Sequence, residues 1–245
     1  MHRILFEIGP ITIYSYGFFL AVAFIVSSLL ILKDTRQQSL DTGKMMDCVG
    51  IILLSGILGG RLLFVGINWK EYVAEPLRIF MFHEGGLAFQ GALVGAILGG
   101  IVAAKVKKMP FWKSADIIAP YIALGQAIGR IGCFFNGCCY GKVADTGIRI
   151  VFPHQAVARM PAQLYSSFML FLVFVALLLV KKRKRFDGYV FSAYLVLYGS
   201  MRFIVDFFRA DNPEIFFSLK LSQILSLVIL LIGMLMYKVL EKRKK

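Results

Sequence analysis

Three arginines stand inside long apolar stretches of this sequence: Arg61, Arg130 and Arg202. A guanidinium in hydrocarbon is costly, so such a residue has a partner or lines a wet cavity. Tyr198, Arg202, Asp206 and Arg209 are spaced by four, four and three residues. On one helix they would share a stripe about 80° wide. Arg202 and Asp206 can pair at i, i+4, and the second arginine leaves a positive excess that suits an anion. The same stripe also fits a snorkelling pair that sets the depth of a helix.

A second group runs from Gly125 to Gly141. Gln126, Arg130 and Cys133 share a face while the helix holds, and Asn136-Gly137 is expected to end it. The glycines here let backbone and guanidinium approach a ligand closely. Arg61 follows Gly59-Gly60 and adds a third buried positive charge, and Gln90 adds an amide. A guanidinium grips phosphate through a planar two-pronged fork, which lysine cannot do. Three of them within apolar segments point to a phospholipid headgroup rather than a cation pathway.

The elements that carry these residues follow from composition. Of 245 residues, 58% are hydrophobic and 17% charged, with mean hydropathy +0.74. A soluble core of this size cannot hide that much apolar surface. The expectation is an all-α integral membrane protein of about seven transmembrane helices, forming one transmembrane catalytic domain over residues 1–245. The spans fall near Ile11–Leu32, Met45–Ile67, Leu87–Val106, Ala115–Asn136, Pro161–Val180, Gly188–Phe208 and Leu219–Leu240. The first has neither a basic leader nor an Ala-x-Ala cleavage site, so it reads as an uncleaved span.

The net charge of +14 is a topology signal rather than a nucleic-acid one. One set of alternate loops holds 17 Lys and Arg, including Lys181–Arg185 and the C-terminal tail, and the other set holds eight. The richer side is cytoplasmic, which puts the N-terminus outside and the C-terminus in the cytoplasm. Anionic membrane lipids are natural neighbours of those loops. Glycines at Gly56/Gly60, Gly91/Gly95/Gly99 and Gly125/Gly129 form small-residue ridges for close helix packing. Trp69, Tyr72 and Phe82 suit an interfacial segment between the second and third spans.

Cys48 reads as packing. Cys133, Cys138 and Cys139 cluster, but three thiols without a nearby histidine or fourth cysteine make a poor zinc set. A redox pair of Cys133 with Cys138, or a thiolate beside Arg130, is also compatible with the spacing. The histidines, His2, His83 and His154, all fall in or near outer loops.

With these residues in view, the sequence resembles the bacterial prolipoprotein diacylglyceryl transferases over nearly its whole length. The likeness rests on Ile8-Gly9-Pro10 with Tyr14–Gly17, Gly59-Gly60-Arg61, Glu84–Gly91 and Asp116–Pro120. It continues through Gly129-Arg130-x-Gly132…Asn136-Gly137…Gly141, Pro161-x-Gln163-Leu164-Tyr165, and Tyr198-Gly199…Arg202…Asp206-Phe207-Phe208-Arg209. The resemblance implies transfer of diacylglyceryl from phosphatidylglycerol to the lipobox cysteine of a preprolipoprotein signal peptide, with release of glycerol-1-phosphate. It also implies the bacterial inner membrane, a site toward the outer leaflet, and no metal or organic cofactor. Carried onto this chain, the catalytic residues would be Arg130, Arg202, Tyr16, Asp206 and Gln90. The phospholipid would be held by Arg130, Arg61, Asn136, Gly141, Tyr198 and Arg209. The sequence departs from the family pattern at Gln90, where histidine is common, at Cys133 (asparagine) and at Cys138 (glutamate). His83, Tyr16 and Asp206 are the other groups able to assist deprotonation. A related lipid-group transferase with another acceptor or donor, or a non-enzymatic phospholipid-binding or transport protein, would share much of this inventory.

Overall fold

A computed structural model describes residues 3–8, 11–81, 85–144, 146–153, 156–210, 214–216 and 219–243. His2, Phe82, His83, Glu84 and His154 lie outside these residues. Eight α-helices are present among them: α1 (Ser15–Gln37), α2 (Thr42–Ile67), α3 (Trp69–Ala74), α4 (Phe89–Val106), α5 (Phe111–Asn136), α6 (Ala162–Lys182), α7 (Tyr189–Val205) and α8 (Leu221–Lys242). Six of them are long and apolar enough to cross a membrane; α7, with 17 residues, is apolar but shorter. At 1.5 Å per residue, α7 still rises about 25 Å. The chain is a multi-pass membrane protein. Leu58, Leu62, Leu172, Leu231 and Leu235 are exposed on the helix surfaces, a cost in water that lipid removes.

Several ends differ from the sequence expectation by a few residues, and three of them have a clear physical cause. The first helix starts at Ser15 because Ile11–Tyr14, rich in β-branched residues, pairs antiparallel with Ile4–Ile8 (β2 with β1). The helix carrying Arg202 stops at Val205, and 206–208 form a turn. The third span begins at Phe89 rather than Leu87. The Ala88 amide donates to the Gly60 carbonyl at 3.0 Å, which holds the entering chain against α2. Two further hairpins pair Ile150–Val151 (β3) with Ala158–Arg159 (β4) and Glu214–Phe216 (β5) with Leu219–Lys220 (β6).

The chain divides into two compact units, one of Met1–Ile31 with Ala115–Lys245 and the other of Leu32–Ser114. In the smaller unit, α2 and α4 meet along their glycines. A Cβ on Gly91 would lie within 2.3 Å of the Gly59 carbonyl oxygen, and one on Gly95 within 2.2 Å of that of Ser55. The ridge expected from spacing is therefore a backbone-to-backbone contact.

In the larger unit, Ala119, Ala123 and Ala127 of α5 pack with Leu170, Val173 and Leu177 of α6 and with Val190, Tyr194, Met201 and Val205 of α7. Helix α8 closes on α7 at Gly199 and Gly233, where a Cβ would meet Ser226 O at 2.7 Å and Leu195 Cβ at 2.9 Å. The N-terminus of α7 is capped from another helix. Asp116 of α5 is 1% exposed and accepts from the amides of Gly188 (2.8 Å) and Phe191 (2.9 Å), with the Lys184 ammonium at 3.0 Å. Those amides have no partner inside α7, so the carboxylate satisfies them and favours the positive end of the helix.

Replacing Asp116 with alanine leaves the Gly188 and Phe191 amides without their acceptor and Lys184 with Asp187 alone. The expected loss is about 2–4 kcal/mol of stability, read as a lower unfolding temperature of the detergent-solubilised protein. An unchanged unfolding temperature would contradict this role.

Candidate active site

Eight of the ten candidate residues lie in the larger unit: Tyr16, Arg130, Asn136, Gly141, Tyr198, Arg202, Asp206 and Arg209. Tyr16 is set by the packing of α1 on α5. Gly132 leaves room for this: a Cβ there would meet Phe19 Cβ at 2.9 Å and Tyr16 Cα at 3.5 Å. Phe19 stacks on Phe135 with centroids 5.3 Å apart, and Ser27 Oγ donates to Tyr121 O at 3.1 Å. Tyr16 consequently lies within electrostatic reach of Arg130 and of Cys133, Cys138 and Cys139.

Arg202 projects from the last turn of α7, its Nη2 3.2 Å from Asp206 Oδ1. Arg209 Nε lies 3.8 Å from the same oxygen. Asp206 is fully buried, and neither carboxylate oxygen has an aligned hydrogen-bond donor among the described residues, so both contacts are charge pairs rather than linear bonds. Arg130, Arg209, Asp206 and Tyr198 all act on Arg202 electrostatically. The guanidiniums gathered around this one carboxylate leave the cluster with an excess of positive charge.

The segment after α5 is tied into this cluster. Gly141 bridges to Arg209, its amide donates to Met160 O at 2.8 Å, and the Lys142 amide donates to Phe208 O at 2.9 Å. A Cβ at Gly141 would sit 2.7 Å from Phe208 O and 2.8 Å from Met160 O, so only glycine fits. Its role is close backbone passage beneath Arg209. Arg159 lies over the Tyr140 ring at 4.8 Å. Asn136, at the end of α5, hydrogen-bonds with Cys138. The neighbouring Cys133 and Cys138 thiols push the Cys139 thiol below its ordinary pKa. Burial opposes this, and Arg209 and Arg130 assist it.

Arg61 and Gln90 lie in the smaller unit. Arg61 is 3% exposed, and main-chain carbonyls take all five of its N–H donors: Ile79 on Nε, Gly85 and Gly86 on Nη1, Arg78 and Met81 on Nη2. It organises the chain that enters α4, and Tyr72 stacks on it at 5.5 Å. Gln90 is exposed in the first turn of α4. Among the described residues, no hydrogen bond or ion pair engages the Arg130 guanidinium, in contrast to Arg61.

Two positioning residues escape a search for chemistry-bearing spans. Lys220, counted in the sequence as an outer-loop charge, is 6% exposed and donates to the carbonyls of Asp206 (3.0 Å) and Arg209. Gln163 is 1% exposed and donates to Cys138 O at 2.6 Å. The Pro161-x-Gln163 motif marked Gln163 without giving it a role; nothing in the sequence marks Lys220.

Known proteins resemble this chain in sequence along its length. A sequence profile described as "Prolipoprotein diacylglyceryl transferase" matches residues 3–239. The chain belongs to the prolipoprotein diacylglyceryl transferase family. It is 34% identical to phosphatidylglycerol–prolipoprotein diacylglyceryl transferase 2 of Clostridium perfringens over 252 residues, covering 100% of this chain and 98% of that one. It is 36% identical to the phosphatidylglycerol–prolipoprotein diacylglyceryl transferase of Mannheimia succiniciproducens, covering 98% and 93%, and 34% identical to that of Geobacter sulfurreducens, covering 98% and 96%.

Replacing Lys220 with methionine keeps the apolar stem and removes the clamp on the turn after α7. Amide hydrogen exchange over residues 206–210 is expected to rise about tenfold, as one lost hydrogen bond to a charge implies, with 192–200 unchanged. Equal exchange in both segments would remove Lys220 from the site.

Proposed function

We propose that this protein transfers the diacylglyceryl group of phosphatidylglycerol to the lipobox cysteine of a preprolipoprotein signal peptide. The observation that carries this reading is Arg130. Its half-buried guanidinium has no protein acceptor among the described residues, yet it lies within electrostatic reach of the Arg202–Asp206 pair. Such a guanidinium is disposed toward an exogenous anion, and a lipid phosphate supplies one.

In the reaction, the thiol sulfur bonds to the terminal glyceryl carbon as that carbon's bond to the phosphate oxygen breaks. The bonding pair leaves with glycerol-1-phosphate, and the thiol proton ends on the released phosphate or in water. The phosphate gains one negative charge as it departs. Donors already in place are worth most where charge develops and water is scarce. Arg130 and Arg202 fill that role, with Arg209, Tyr198, Asn136 and the Gly141 backbone holding the headgroup. Asp206 fixes the orientation of two guanidiniums and reduces their mutual repulsion. An amide cannot take a proton at neutral pH, so Gln90 is not the base. Within the cluster the carboxylate of Asp206 is the group able to accept it, and Tyr16 can assist through its hydroxyl. No cofactor enters the scheme. The site belongs to the outer leaflet of the bacterial inner membrane, where secreted acceptors and phosphatidylglycerol meet.

The test is transfer of labelled diacylglyceryl from phosphatidylglycerol vesicles to a lipobox peptide, with a cysteine-to-serine peptide as control. A thioether product is expected only with the cysteine peptide. Arg130→Ala and Arg202→Ala should each lower kcat by about 100-fold or more while the protein stays folded in the membrane. Absence of product from folded wild-type protein would refute the activity. Unimpaired variants would refute the assignment of the arginines.

A further inference from the structure

The cluster of Cys133, Cys138 and Cys139 is not needed by the transfer reaction, and the fold assembles it with care. Cys133 lies on the last turns of α5, while the other two follow the helix end. Adjacent side chains on an extended strand diverge. Here Gly137 (φ 73°) and Cys139 (φ 61°) both occupy the left-handed region and turn the chain back on the helix. For cysteine that conformation costs about 1 kcal/mol or more, so the surroundings must hold it. Gln163, through its bond to Cys138 O, and the Cys138 amide, donating to Cys133 O at 3.2 Å, do so. The result is three free thiols whose sulfurs all lie within 4.8 Å of one another.

We propose that Cys133, Cys138 and Cys139 form a trigonal site for a soft d10 cation, copper(I) above all. Metal–thiolate bonds of about 2.3 Å in a trigonal plane place sulfurs about 4.0 Å apart, so closure requires shifts of under about 1 Å. No fourth Cys, His, Asp or Glu joins the group among the described residues. That disfavours tetrahedral zinc and suits a cation content with three soft ligands. Binding releases the thiol protons to solvent and transfers no electrons. The copper(I) tris-thiolate carries two negative charges, which Arg130 and Arg209, both within electrostatic reach of Cys139, offset. A loaded site reduces the positive excess of the arginine cluster, which ties soft-metal exposure to the anion site.

The experiment is anaerobic titration of the full-length reduced protein in detergent with copper(I) against a colorimetric copper(I) chelator. One ion per chain is expected, with thiolate-to-copper absorption. Cys133→Ser, Cys138→Ser and Cys139→Ser should each weaken binding by about tenfold or more, as loss of a ligand implies. Cys48→Ser should bind as wild type. Unfolding temperatures of the serine variants confirm that each is folded. No uptake beyond a detergent blank, or uptake undiminished in folded variants lacking two of the three thiols, would overturn the site. Because binding is read directly, its failure leaves the transfer reaction untouched, and failure of transfer leaves the copper site untouched.

Discussion

The cost of placing a guanidinium in a low-dielectric interior governs much of this protein. Arg61 and Arg130 meet that cost in opposite ways. Arg61 gives every donor to main-chain carbonyls between Arg78 and Gly86, so the charge becomes a staple for the chain entering α4. Arg130 has no such acceptors among the described residues and shares its neighbourhood with two other arginines. One buried carboxylate, Asp206, holds Arg202 and Arg209 but cannot balance all three charges. In the proposed reaction an anionic lipid headgroup completes the balance, and an anion that gains charge on leaving is stabilised further.

Holding that excess in place requires a rigid backbone around it. The helix carrying Arg202 ends before Asp206, so the Arg209 side chain is not placed by helical spacing. It is placed by the bridge to Gly141 and by Lys220, whose ammonium gathers the carbonyls of Asp206 and Arg209. Removing a side chain at 141 is what allows two strands of irregular backbone to pass at that point. The opposite end of α7 is secured by Asp116, so the helix is fixed at both termini by groups outside it.

Much of this was legible in the sequence. Hydropathy and length find the long helices, because a hydrocarbon core imposes its thickness on them. The same logic singles out Arg61, Arg130 and Arg202, since charge in lipid needs a reason. Composition does not reveal the ends. Ile11–Tyr14 is apolar enough to continue a span and instead pairs with Ile4–Ile8, a non-local choice that hydropathy does not register. Burial of Lys220 also depends on tertiary contacts, and a lysine near a membrane surface reads by default as a snorkelling charge. The difference between Arg61 and Arg130 is likewise invisible in one dimension, because both follow glycines in apolar helices. Only the carbonyls around Arg61 separate a structural guanidinium from one available to a ligand.

The central claim is that Arg130 and Arg202 stabilise charge on the departing phosphate. It is tested most directly by comparing kcat for phosphatidylglycerol with kcat for a diacylglyceryl donor bearing a better leaving group, such as a sulfonate. Both are measured in wild-type protein and in the Arg202→Ala variant. A departing group that needs less stabilisation should suffer less from loss of the arginine, so the defect should shrink by at least about tenfold on the sulfonate donor. An equal loss on both donors would mean that the arginines serve only to hold the lipid.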